Sequence, residues 1–254
     1  MVTVCKKPEY LAVLERFFTY LFACLKHFIY LCGINQKCAS MAIKLIFPNE
    51  PADPAPGTSR MWGMPDLPES TPYPETVVSD EDGEYADPMT LICQINCQDI
   101  ATFDTENLLP HKGLLSFFAV IDYYLGMEDT DADGYNGIGE WTKDMFRVIW
   151  SEDTQNLHRH TIEDEDGNPY GLKAEKIVFS GNARHDDGFR LLGKPFYEEV
   201  AEQTDAKLIS LLQLDESERW NLRFYDCGML NFLISKEDLL ARRFDNVRCY
   251  MHSF

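Results

Sequence analysis

Two apolar segments, Leu91-Ile92-Cys93-Gln94-Ile95-Asn96 and Leu211-Leu212-Gln213-Leu214-Asp215, each carry one glutamine inside the run. Near-continuous apolar runs of this length are the pattern of strands buried on both faces. A side-chain amide held there must find partners or cost about 1–3 kcal/mol. Gln94 and Gln213 therefore either brace nearby backbone or face a cleft, and bracing is the commoner use of a buried amide. In both places a glycine then opens a second apolar run: Gly113 before Leu114 to Ile121, and Gly228 before Met229 to Ile234. The glutamine-to-glycine spacing is nineteen residues in the first case and fifteen in the second. The shared order of parts predicts an internal duplication, about 90–125 and 208–245, with the copies packed as two sheets or one pseudo-symmetric sheet.

Between the copies, Phe146 to Trp150 and Lys176 to Phe179 read as further short strands, and Ala42 to Phe47 as a first one. Asp-Gly pairs at 82–83, 133–134, 166–167 and 187–188 mark tight turns, because glycine accepts positive φ. Ser235 to Arg243 has the grammar of a helix, with a capping serine, acids in the first turn and arginines in the last. A second helix is expected from about Tyr197 to Leu208. The proline-dense stretch from Pro48 to Pro74 reads as extended connection, since proline lacks an N–H and fixes φ. The fold class is thus α+β: a duplicated, mainly antiparallel β core with a few peripheral helices.

The formal net charge is −19, from 23 basic and 42 acidic side chains. Such a field repels phosphate backbones and anionic lipid headgroups, which argues against nucleic acid, and favours cations and basic protein surfaces. The first forty residues run against this trend, with Lys6, Lys7, Arg16, Lys26 and Lys37 against Glu9 and Glu15. Within the apolar run from Tyr10 to Leu31, the longest stretch free of acidic, basic and histidine side chains is Phe17 to Leu25. That is well short of the roughly 20 residues of a membrane span. Composition changes at Met41, so residues 1–40 are expected to be an N-terminal extension outside the functional domain, and 41–254 a single domain. The eight cysteines form no C-x-x-C pair, and buried thiols in a reducing cytosol account for them. Cys93 and Cys97 are placed on one face of one strand.

Several stretches together resemble the YwqG-like domain of unknown function, found mostly in bacteria. They are Ser59 to Pro68, Cys93-Gln94-Ile95 with Leu109-Pro110 and Gly113 to Phe118, Arg147-Val148-Ile149, Leu191 to Pro195, Leu211 to Leu214, Gly228 to Phe232, and Asp238-Leu239 with Phe244. The order and spacing match across 41–254. Trp62-Gly63, Tyr73-Pro74 and Tyr250-Met251 depart from the family's usual Gly-Gly, Trp-Pro and glutamine. The resemblance implies an α+β fold with a duplicated β core and implies no reaction.

Asp129-Thr130-Asp131-Ala132-Asp133-Gly134-Tyr135-Asn136-Gly137-Ile138-Gly139-Glu140 fits the calcium-loop pattern D-x-D-x-D-G-x5-E. In that pattern Asp129, Asp131, Asp133 and Glu140 supply carboxylates and Tyr135 a backbone carbonyl. The preceding residues read as strand where an entering helix is required, so an acidic hairpin loop is the competing account. His158-Arg159-His160 sets two imidazoles on one face, with His185 and Asp186 as further ligands, but the spacing fixes no third and fourth ligand. These features describe a cytoplasmic, non-enzymatic protein-binding module with an acidic surface. It needs no cofactor, and its partner is another protein, a basic one by charge, with neither nucleic acid nor membrane. The alternative is a small-molecule or calcium-binding protein, or an enzyme, using a cleft between the duplicated halves. Residues 41–254 expressed alone are expected to give a soluble protein with a cooperative thermal transition; an insoluble product would place the first forty residues within the fold.

Overall fold

The computed structural model describes residues 42–53, 55–80, 83–121, 137–163, 167, 171–183, 188–225 and 227–254. The strands of the first half are β1 (Ala42–Ile46), β2 (Arg60–Met61), β3 (Asp66–Pro68), β4 (Glu75–Asp80), β5 (Gly83–Pro88), β6 (Thr90–Asn96), β7 (Leu114–Ala119), β8 (Gly139–Trp141) and β9 (Phe146–Ser151). They continue as β10 (Leu157–Arg159), β11 (Glu175–Lys176), β12 (Val178–Ala183), β13 (Arg190–Leu191), β14 (Ile209–Asp215), β15 (Met229–Ile234) and β16 (Arg248–His252). Short helices α1 (Cys97–Ile100), α2 (Glu198–Gln203) and α3 (Lys236–Leu240) lie between them. Every strand pairing among the described residues is antiparallel. The mainly β, α+β class expected from sequence is the one observed.

Seven strands form one sheet in the order β12-β1-β13-β14-β15-β16-β8, and five form another in the order β11-β2-β6-β7-β9. The two share one apolar core, in which Phe117 of β7 and Phe232 of β15 meet edge to face at 5.4 Å, and Trp62 and Trp220 at 5.5 Å. Strands are exchanged between them. β1 precedes β2 in the chain but pairs with β13, setting Lys44 opposite Arg190. β11 precedes β13 but pairs with β2, setting Lys176 opposite Arg60. Each sheet is therefore completed by a segment that enters from the other half of the chain.

The two glutamine strands are built alike. β6 and β14 each have seven residues, with a register shift between Leu91 and Cys93 in one and between Ser210 and Leu212 in the other. Gln94 faces Ser116 across the ladder and Gln213 faces Asn231. Before each, a short arginine strand ends in two left-handed residues, Trp62 and Gly63 at φ 58° and 80°, and Leu192 and Gly193 at φ 63° and 94°. Two consecutive positive φ values turn the chain sharply, and glycine takes the second without a Cβ penalty.

Some expectations are corrected. The proline-dense segment is more than connection, since it contains β2 and β3. Cys97 is the first residue of α1, not part of the Cys93 strand, because the Asn96 side chain accepts the Gln98 N–H and caps a helix there. Ser235 caps α3 as expected, its Oγ accepting the Asp238 N–H at 3.0 Å.

Gly228 is fixed by space. A Cβ there would lie 2.0 Å from the Phe224 carbonyl oxygen and 2.9 Å from that of His252. Backbone must give way, so Gly228→Ala is expected to cost about 3 kcal/mol, read as a lowered midpoint in guanidinium unfolding with an unchanged slope.

Candidate functional site

The glutamine amides turn toward backbone. Gln94 Oε1 accepts the Asp66 N–H at 2.9 Å and its Nε2 donates to the Thr58 carbonyl at 2.8 Å. Gln213 Oε1 accepts the Phe196 N–H at 3.0 Å and its Nε2 donates to the Gly188 carbonyl at 3.0 Å. The arginines repeat as well: Arg60 donates to the Met64 carbonyl at 2.9 Å, and Arg190 to the Lys194 carbonyl and to Gln213 Oε1. All four side chains are fully buried. In each half, one amide and one guanidinium thus hold the same loop closed over the sheet.

The halves differ in charge at the buried residue that follows the loop proline. Where the second has Phe196, the first has Asp66, a carboxylate with no exposure. Asp66 Oδ2 accepts from the Gly57 N–H at 2.8 Å and from Gln94 Nε2 at 2.8 Å, and pairs with Arg60 Nη2 at 2.5 Å. Oδ1 takes Arg159 Nε at 3.1 Å. Burial alone would push the Asp66 carboxyl up. The Gln94 amide, the Arg60 charge, the Gly57 N–H and Arg159 outweigh it and hold the group below the usual carboxylate range. Arg60 moves down through burial, with Asp66 opposing the shift and Arg159 adding to it. Its Nε and Nη1 make no hydrogen bond among the described residues, so Asp66 supplies most of the compensation for burying this charge.

Arg159 carries the network outward. It stands on β10, which pairs with β3 so that Arg159 lies opposite Asp66 and His158 opposite Leu67. Beside this ribbon opens a cleft of about 630 Å³, lined by Glu69, Ser70, Glu152, Asp153, Asn156 and His158 together with Pro68 and Ser151. A smaller recess of about 260 Å³ adjoins it, sharing Glu69 and His158 and adding Arg159 and His160. Lys112 sets its ammonium on Glu152 at the rim of the larger cleft.

His158 and His160 are thus together at one recess, while His185 and Asp186 lie outside the described residues. Of the calcium-loop residues, Asp129, Asp131, Asp133 and Tyr135 also lie outside them. Glu140 is in β8, and Arg248 holds both its oxygens at 2.6 Å. Among the described residues no three His, Cys, Asp or Glu side chains are placed to hold a metal ion. Gln94 and Gln213 line neither recess. Burial drives the thiols of Cys93 and Cys249 far up and that of Cys97 to about 12, which keeps these three protonated and unreactive. Arg60, Asp66 and Arg159 were not singled out from sequence. The one available signal was the parallel between Arg60-Met61-Trp62-Gly63-Met64-Pro65 and Arg190-Leu191-Leu192-Gly193-Lys194-Pro195.

Two antiparallel sheets with matching bracing, and a charged cleft on one half, define a two-sheet α+β domain. The chain belongs to the family described as Domain of unknown function (DUF1963), which matches residues 59–187 and 174–252. A search of the curated proteins found no match. No helix among the described residues is long and apolar enough to cross a membrane.

Removing the carboxylate tests the network. Asp66→Asn leaves Arg60 buried without its counter-ion and is expected to cost about 3–5 kcal/mol, measured by urea unfolding near neutral pH. A depressed folded pKa stabilises fully above the unfolded value, about 3.9 for aspartate, and the gain is lost as pH falls toward the folded one. The wild type should therefore lose part of its advantage over Asp66→Asn as pH drops below about 4; a constant difference between the two would contradict the assignment.

Proposed function

We propose that the protein is a non-enzymatic binding module, and that the cleft beside β3 and β10 receives a cationic side chain of a basic protein partner. The observation that carries this reading is the Lys112 ammonium on Glu152. The rim of the cleft already accommodates one amino group, supplied from within the chain. Glu69 and Asp153 line the same cleft, and among the described residues neither is in an ion pair. Small-molecule pockets bury most of their ligand against apolar walls. This cleft is open and all its lining residues but Pro68 are polar or charged, which suits a side chain presented by a protein surface. The net charge of −19 adds long-range attraction for a basic partner and repulsion for nucleic acid.

Three narrower readings accompany this one. We take the family more closely as YwqG-like, on the stretches from Ser59 to Phe244 that resemble it. We take the matched bracing of Gln94 and Gln213 as the trace of an ancestral duplication. We place the protein in the cytoplasm, since its described cysteines are free thiols.

The test uses an oligolysine peptide and fluorescence anisotropy. Wild-type protein is expected to bind it at low ionic strength and release it as salt rises. Glu69→Lys with Asp153→Lys should weaken binding by about tenfold, near 1.4 kcal/mol. A control with the same charge change at exposed Glu202 and Glu218 should weaken it far less. Equal losses in both variants would show that net charge, and not the cleft, binds the peptide.

A further inference from the structure

The ribbon β4–β5 leaves the body of the protein without a third strand. Its register runs unbroken from Glu75 opposite Pro88 to Asp80 opposite Gly83. Most of it stands in solvent: Val77 is 66% exposed, Tyr85 is 49% exposed, and Glu84 and Ala86 are exposed as well. A two-stranded ribbon is marginal in water by itself, and this one is tied to the body at its base. There the Met89 N–H donates to the Pro74 carbonyl at 3.0 Å and the Tyr73 hydroxyl to the Met89 carbonyl at 2.8 Å. The Tyr73 ring packs on Phe118 at 5.9 Å, and Thr76 reaches Met145.

Open strand edges are ordinarily blunted by lysine, by proline or by a bulge. β4 has none of these. From Glu75 to Pro88 the chain contains no lysine, arginine or histidine. Cross-strand partners share a face, so Val77 and Ala86 form an apolar rung with Glu75 on one neighbouring rung and Glu84 on the other. On the opposite face Val78 and Tyr85 form the apolar rung and Asp87 stands beside it. Each face thus offers an apolar centre with a carboxylate next to it, along an edge whose backbone groups have no strand partner among the described residues.

We infer that the ribbon is a docking arm that takes an extended cationic segment of a partner protein as a third strand along β4. The edge of β4 is the one used because β5 ends in Pro88, which has no N–H to offer. Backbone pairing gives the segment its extended form, the apolar rungs seat an aliphatic centre, and the carboxylates select lysine or arginine on either side of it. This inference rests on the reading of the chain as a module for basic partners, but it uses a surface distinct from the cleft.

The probe is a synthetic peptide with lysines flanking a Val-Thr-Val centre, and its control carries proline in place of the threonine. The charge is identical in both, but proline at the centre removes an N–H and breaks strand pairing. Wild-type protein should bind the first peptide about tenfold more tightly than the second. Val77→Lys with Tyr85→Ser should abolish that preference while leaving the thermal transition in place, since both side chains are exposed. Glu69→Lys with Asp153→Lys should leave the preference intact. Equal affinity for the two peptides, an unchanged preference in the ribbon variant, or no binding of either peptide would overturn the inference. Loss of the preference only in the cleft variant would overturn it too, while leaving the cleft reading standing.

Discussion

Two guanidinium groups inside apolar surroundings set the terms for this structure. Arg60 and Arg190 are almost wholly removed from water, and a buried charge of that size costs several kcal/mol unless its donors are satisfied. In each half a loop of backbone carbonyls is folded over the guanidinium, and a glutamine amide from the adjacent strand holds that loop in place. The left-handed turns at Trp62-Gly63 and Leu192-Gly193 reverse the chain soon enough for a carbonyl four residues on to reach the arginine. Turn, arginine and glutamine therefore depend on one another. A change in one leaves the others with unsatisfied buried groups.

The strand exchange extends this dependence across the molecule. Arg190 lies opposite Lys44 of β1, and Arg60 lies opposite Lys176 of β11, so each arginine strand is flanked by a segment that precedes the other half. Each sheet therefore lacks a strand beside its arginine strand until that segment is in place. Taken alone, the glutamine strands suggest two separable units; the pairing pattern joins them. Aromatic contacts reinforce the joint, with Trp62 of one half on Trp220 of the other and Glu175 accepting the Trp220 indole N–H at 2.8 Å.

The sequence disclosed those parts of this arrangement that leave a periodic or compositional trace. β6, β7, β14 and β15 are apolar runs, and Ser235 with the acids after it announces α3. The glutamines stood out because an amide among apolar residues is conspicuous. Arg60 and Asp66 did not, since charged residues among prolines look like solvated connection, and strands of two and three residues are too short to show a period. Arg159 was visible only as the residue between two histidines. Its partner lies 93 positions away, and nothing local signals such a pairing. The same limit hid β16, whose Arg248 to His252 carries no repeating pattern of its own and is a strand because β15 and β8 flank it.

The likeness of the two halves helps to locate function. Bracing that appears in both halves answers a demand of the shared architecture, since each half must bury one arginine strand and close one loop. What appears in only one half is not explained by that demand. Asp66 stands where the second half has Phe196, and an apolar side chain there is compatible with the same loop and the same glutamine contact. In the first half the carboxylate balances Arg60 and also draws in Arg159, fixing β10 against β3. That ribbon forms the wall of the cleft, and β4 begins only a few residues beyond Glu69 on its rim. Asp66 therefore couples the charge balance of a buried arginine to the order of a surface, the wall of a recess lined by Glu69, Glu152 and Asp153.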